Sequence, residues 1–168
     1  MDRLEFVSHL RIKEFASSLK QENKLLFKKL KRLPTDRVDR LFNEAHQDAF
    51  DQFDCIACAN CCKTISPIIT NRDIDRMAKG LGIKPSALVE KHLTIDSDGD
   101  YVFTSSPCPF LQDDNYCLIY DYRPKACREY PHTDRRRMHQ ILNITLKNIE
   151  VCPVVFNVVE QIKVQLNR

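Results

Sequence analysis

Apolar positions along the chain recur mostly at helical spacing. Leu4, Val7, Leu10, Phe15, Leu19, Leu26, Leu30 and Leu33 form one stripe, which predicts one long amphipathic helix, or two in line, over residues 2–33. Pro34 stops it. Thr35 or Asp36 can cap a second helix, whose stripe Val38, Leu41, Phe42, Ala45, Ala49, Phe50 and Phe53 leads into Cys55. The two helices are expected to pack as an antiparallel hairpin.

Beyond residue 64 the pattern shortens. Ser66–Thr70 reads as a small strand, and Asn71-Arg72-Asp73 as the start of a helix that ends near Gly80 and Gly82. Pro85 opens another helix running to Leu93. Asp96–Asp100 is a turn, and Tyr101–Thr104 a strand after it. That acidic loop lacks the spacing and terminal Glu of an EF-hand, so it is read as a turn and not as a calcium site. From Cys108 to Pro131 there is too little apolar periodicity for self-sufficient order, with Asp113-Asp114-Asn115 as a turn and Arg123-Pro124 as a short-helix start. Met138, Ile141, Leu142, Thr145 and Ile149 predict a further helix. Cys152-Pro153 leads into a last one carrying Val155, Val158, Val159, Ile162 and Leu166.

The expected fold class is mainly α, an α+β chain of minor strand content, with helices around a metal-stapled, loop-rich cysteine centre. Residues 1–54 form the N-terminal helical hairpin, and 55–168 a cysteine-cluster metal-binding domain packed as one unit with it. A chain of 168 residues suits that size.

Composition changes the picture at one point, the cysteines. Four fall within Cys55-Ile-Ala-Cys58-Ala-Asn-Cys61-Cys62, and four follow at Cys108, Cys117, Cys127 and Cys152. Nothing in the sequence reads as a secretion signal or membrane span, so a cytoplasmic, reducing location is expected, where eight cysteines point to metal ligation or redox chemistry rather than disulfides. Cys55, Cys58 and Cys61 repeat a spacing that lets sulfurs converge on one centre. Ferredoxins wrap a [4Fe–4S] cluster with such a run and a distant Cys-Pro, for which Cys108-Pro109 and Cys152-Pro153 are candidates. Zinc sites more often pair two short knuckles, and the gaps of eight and nine residues between Cys108, Cys117 and Cys127 supply no second one. Spacing tilts toward iron–sulfur and leaves zinc open. Neighbouring side chains usually point apart, so Cys61 and Cys62 are expected to serve different sites: Cys55, Cys58 and Cys61 with one distal cysteine, and Cys62 with the others.

Other residues sharpen this less. Arg123 and Arg128 flank Cys127 and can offset thiolate charge or donate hydrogen bonds around the cofactor. Tyr120 and Tyr130 are packing residues. His132 could replace a thiolate, though eight cysteines already suffice for two sites. The basic cluster Lys24, Lys28, Lys29, Lys31 and Arg32 reads as a solvated helix face. A net charge of +3 predicts no specific nucleic acid, and three glycines leave no phosphate loop and hence no nucleotide. No catalytic constellation can be assembled, so no reaction is assigned.

The pattern Cys55-x2-Cys58-x2-Cys61-Cys62, Cys108-Pro109-Phe110-Leu111, then Cys117-x-Ile119-Tyr120-x2-Arg123-Pro124-x2-Cys127-Arg128-x-Tyr130-Pro131, resembles the CxxCxxCC cysteine-cluster family of zinc- or iron-chelating domains. The resemblance runs from about Cys55 to Cys152. A more distant similarity is to the cluster region of flagellin lysine methylases, which are associated with an iron–sulfur centre and methyl transfer. This chain is much shorter and shows no separate substrate domain. The expected function is ligation of an iron–sulfur cluster, zinc or both, in a redox or cluster-dependent component. The alternatives are a zinc-stabilised interaction module whose N-terminal helices dock a protein partner, and metal chelation and delivery.

Overall fold

The computed structural model describes residues 11–167. The expectations for Leu4, Val7 and Leu10 therefore lie outside the described residues. The elements in chain order are α1 (Ile12–Ser18), α2 (Lys20–Leu30), α3 (Thr35–Phe50), α4 (Cys55–Cys58), α5 (Asn60–Thr64), α6 (Asn71–Leu81), α7 (Pro85–His92), β1 (Leu93–Ile95), β2 (Tyr101–Phe103), α8 (Lys125–Glu129), α9 (Leu142–Asn148) and α10 (Pro153–Leu166). Short 3-10 turns cover Tyr120–Tyr122 and Met138–Ile141. The fold is mainly helical with a single small sheet among the described residues, and no single described helix is long and apolar enough to cross a membrane.

The chain divides into two compact units, though not at Cys55 alone. Pro131 onward joins the residues up to Asp54, and Cys55–Tyr130 forms the other unit. This replaces the expected 55–168 domain, because the C-terminal helices bury their apolar surface on the N-terminal ones. The α3 stripe Val38, Phe42, Ala45 and Ala49 is fully buried, and its main partner is α10 rather than α2. Val154, Val155, Val158, Val159 and Ile162 of α10 have no exposed surface. Burying side chains of this size contributes about 1.5–3 kcal/mol each. A helix apolar on every side belongs inside a core, and α10 is the centre of this one.

Several buried polar groups in this unit are matched, while Asn23 Oδ1, His139 Nδ1 and Gln165 Oε1 are buried without a hydrogen-bond partner. Asn157 donates to the Pro153 carbonyl at 2.7 Å, and the nearly buried Lys163 pairs with Glu160 at 2.7 Å and Glu22 at 2.9 Å. His46 stacks on Phe50 and lies 2.7 Å from the Thr133 hydroxyl. The long N-terminal helix is broken at Leu19 into α1 and α2. Ser18 stands at the break, where its hydroxyl donates to the Phe15 carbonyl at 2.8 Å and shares that acceptor with the Leu19 N–H at 3.1 Å, a pattern that bends helices.

In Cys55–Tyr130, a Thr70/Asp73 capping box starts α6 and a left-handed Gly82 ends it. At Gly80 an added Cβ would run into Tyr122, so the 3-10 turn lies flush on α6. β1 and β2 pair antiparallel, with Leu93 opposite Phe103 and Ile95 opposite Tyr101. The expected strand at 66–70 reduces to one bridge, Ile69 to Tyr101, while Leu93–Ile95, expected at a helix end, supplies the second strand. Asp96 folds the intervening turn by accepting the N–H groups of Asp98 and Asp100. Ile69, Ile74, Met77, Leu88, Leu93, Phe103, Phe110 and Ile119 form the unit's core, and Cys108 and Cys117 pack on its edge.

Candidate metal centre

The cysteine run folds as two short helices. α4 carries Cys55 and Cys58; Ala59 then turns left-handed, at φ 46°, and α5 carries Cys61 and Cys62. An alanine in that region costs about 1–2 kcal/mol. The reversal stops α4 from continuing and sets α5 on a new axis. The sulfurs of Cys61 and Cys62 lie 3.9 Å apart, so the expectation that neighbouring side chains point apart does not hold on this short helix.

A hairpin supplies two more thiols. Leu111 bridges Cys117, and Leu118 N–H donates to Phe110 O at 2.8 Å. Asn115, left-handed at φ 66°, turns its tip and donates from its side chain to the Ala57 carbonyl at 3.2 Å. Cys108 N–H donates to Cys62 O at 2.8 Å, which fastens the hairpin base to α5.

α8 brings Cys127. Pro124 stands at its N-cap, and its first N–H, from Lys125, donates to Asp73 Oδ1 at 2.8 Å. Asp73 therefore serves two helix starts, accepting from Thr70 at the head of α6 and from Lys125 at the head of α8. Burial opposes its ionisation, but the Thr70 hydroxyl, the Lys125 and Thr70 N–H groups and the charge of Arg128 together hold its pKa below the usual carboxylate range. Sequence reasoning placed Asp73 in the first turn of a helix, with Thr70 read as the end of a strand rather than as its cap. Nothing local could reveal the second role, since Lys125 is remote in sequence.

The electrostatics identify one cluster. Burial pushes Cys127 up to about 12, with the charges of Cys62, Cys108 and Cys117 adding to the effect and Arg123 opposing it. Burial likewise pushes Cys108 up to about 11, with Cys62 and Cys117 adding, against N–H bonds from Phe110 and Leu111. Cys117 is raised by burial and by Cys62, against an N–H from Ile119 and the charge of Arg123. Cys58 is raised by burial, eased by the Asn60 N–H and by Lys63. Cys62 moves the other way, because the Cys61 thiol donates to it and Arg123 and Lys63 lie near, against the cost of its burial. It is the hub: its charge is felt at Cys58, Cys108, Cys117 and Cys127.

The donor set suits a thiophilic metal. The charge of Cys62 opposes ionisation at Cys58, Cys108, Cys117 and Cys127, and a bound cation would reverse that balance. Backbone N–H groups two residues onward point at Cys58, Cys108 and Cys117, an arrangement that stabilises sulfur as thiolate. Among the described residues no group of three His, Cys, Asp or Glu side chains stands at ligating geometry, and none of the eight cysteines is in a disulfide. Cys55 is exposed at the head of α4, and Cys152 is buried at the N-cap of α10 in the other unit.

Arg123 is fixed beside this cluster. Its guanidinium lies 3.5 Å over the Tyr120 ring, and its Nε donates to Tyr120 O at 2.7 Å. Arg128 donates to the Arg123 carbonyl at 2.7 Å, so it acts on Arg123 and Asp73 rather than on the sulfurs.

No curated protein and no solved structure matches the chain at a significant level. A family model does, over residues 54–153, with the description "Putative zinc- or iron-chelating domain". That span covers more than half of the sequence and seven of its cysteines lie in the unit just described. The chain belongs to the CxxCxxCC family of zinc- or iron-chelating domains.

Proposed function

We propose that Cys62, Cys108, Cys117 and Cys127 provide four thiolates to an iron–sulfur cluster of the [4Fe–4S] type, in a protein that works as a redox or cluster-dependent component. The observation that carries this reading is the convergence of α5, the hairpin and α8: Cys108 N–H donates to Cys62 O at 2.8 Å, Leu111 bridges Cys117, and the charge of Cys62 is felt at Cys108, Cys117 and Cys127. When bound, such a cluster supplies one-electron redox chemistry or a Lewis-acidic iron. The chain's own residues hold it: backbone N–H groups donate to sulfur, Arg123 offsets thiolate charge, and Asp73 anchors the helix that bears Cys127. The remaining cysteines of the run, Cys55, Cys58 and Cys61, allow a further site.

One distance favours zinc as the second reading. Two thiolates on a tetrahedral zinc, each at about 2.3 Å, stand about 3.8 Å apart, and the Cys61 and Cys62 sulfurs are separated by 3.9 Å. In that version metal holds the fold and function lies in docking or delivery. Iron, zinc and acid-labile sulfide should be measured on protein purified without oxygen. Iron and sulfide with a broad band near about 400 nm support the cluster. Colourless protein with stoichiometric zinc overturns it in favour of the second reading, and protein devoid of either metal overturns both.

A further inference from the structure

Four hydrogen bonds gather two basic runs, distant in sequence, at one edge of the helical unit. Asp39 accepts the N–H groups of Arg137 at 2.7 Å and Met138 at 2.8 Å. His139 Nε2 lies 3.1 Å from the Leu30 carbonyl. Lys31 Nζ donates to Asn143 Oδ1 at 2.8 Å. The loop bearing Arg135, Arg136 and Arg137 is thus held against the α2–α3 turn, which bears Lys31 and Arg32. Residues 28–40 and 134–137 together carry nine cationic and three acidic side chains, in a chain whose net charge is only +3. All nine cations are exposed, and among the described residues none is in an ion pair. Asp39, one of the three acids, is occupied by backbone N–H groups.

Two aliphatic side chains lie beside this charge. Leu25, 65% exposed, precedes Lys28 by three positions and Lys29 by four, so α2 presents them side by side, and Arg32 follows in the α2–α3 turn. Ile144, 54% exposed, follows Asn143 on α9, which packs against α2. Among the described residues no exposed aromatic stands with them, so a single-stranded nucleic acid would find no stacking platform there. Exposed aliphatics gain nothing from phosphates, but an apolar anchor within a charged rim is how protein interfaces are built.

We propose that this edge docks a partner protein through an acidic surface that carries apolar side chains. Charge steers the encounter, and Leu25 and Ile144 meet the partner's apolar groups. The surface is independent of which metal the cysteines hold.

The full-length, metal-loaded chain would be titrated into a fluorescent amphipathic helical peptide of Glu, Leu and Ala. Charge-matched polyglutamate, a DNA duplex of about 20 base pairs and one of its single strands would be run alongside at the same salt. The Glu/Leu peptide should bind about tenfold more tightly than each of the others. K28E/R32E/R136E should weaken it at least about tenfold, and L25S/I144S several-fold, with metal content and circular dichroism unchanged. Should the charge-reversed variant lose its fold, L25S/I144S decides. Absent peptide binding, equal binding of polyglutamate, tighter binding of either nucleic acid, or peptide affinity indifferent to these variants would overturn the proposal.

Discussion

The two units reach order by different routes. In the unit of α1–α3, α9 and α10, a central helix buried on nearly every side meets a fully buried stripe on α3. In Cys55–Tyr130, the core of Ile69, Met77, Leu88 and Phe103 supports α6, α7 and the small sheet, while α4, α5, the hairpin and α8 are short and carry the thiols. The first unit has enough apolar surface to be held by burial. The second leaves its cysteine-bearing segments to hydrogen bonds and to whatever the sulfurs bind. The comparison teaches that a metal can take the place of a second layer of core.

The largest test removes the metal. Chelation, or Cys127→Ser, should strip order from residues 108–130 while α3 and α10 keep their amide protection; hydrogen exchange reads both. The stabilisation lost should be on the order of 10 kcal/mol where the metal is structural. Equal loss of protection in both units would break the contrast.

The converse variant acts on the other side. Phe42→Ala opens a cavity at a fully buried site and should cost about 3–5 kcal/mol in denaturant unfolding, with metal content unchanged. Metal loss in this variant would mean that the two routes are not separate.

Asp73 sharpens the comparison within the cysteine unit. Asn at this position cannot accept from Thr70 and Lys125 at both oxygens, and Asp73→Asn should cost about 2 kcal/mol. Because the folded carboxyl titrates below its unfolded value, its contribution is present above about pH 4 and is lost as pH falls through the depressed folded pKa. The difference between parent and variant should therefore shrink on acidification, as unfolding curves at pH 6 and below would show. A difference that does not change with pH would assign the effect to packing alone. The smallest expected effect is Arg123→Lys, which gives up the flat stack on Tyr120 and should cost about 1 kcal/mol, read by thermal unfolding.

Local signals in the sequence located much of this. Asn71-Arg72-Asp73 marked the start of α6, Pro85 that of α7 and Pro124 that of α8, because helix-start residues and prolines act on their nearest neighbours. Val155, Val158, Val159 and Ile162 marked α10, but Val154 and Phe156, also buried, showed that it is enclosed rather than one-sided. What escaped depends on partners far along the chain. The pairing of α3 with α10 moved residues 131–167 out of the expected cysteine domain, and the tie from Asp73 to Lys125 has no local mark. At the candidate centre all the thiols were legible as residues, whereas their grouping around Cys62 depends on the left-handed Ala59 and on the hairpin tip at Asn115, both backbone choices.

The four coupled thiols also lie far apart in time. Cys62 is made forty-six positions before Cys108, and Cys127 comes nineteen after that. During synthesis at about 5–20 residues per second, the run of four cysteines waits seconds for its partners. Any metal that all four hold together is acquired only after Cys127 has been added, so until then the growing chain carries its most oxidisable segment uncovered.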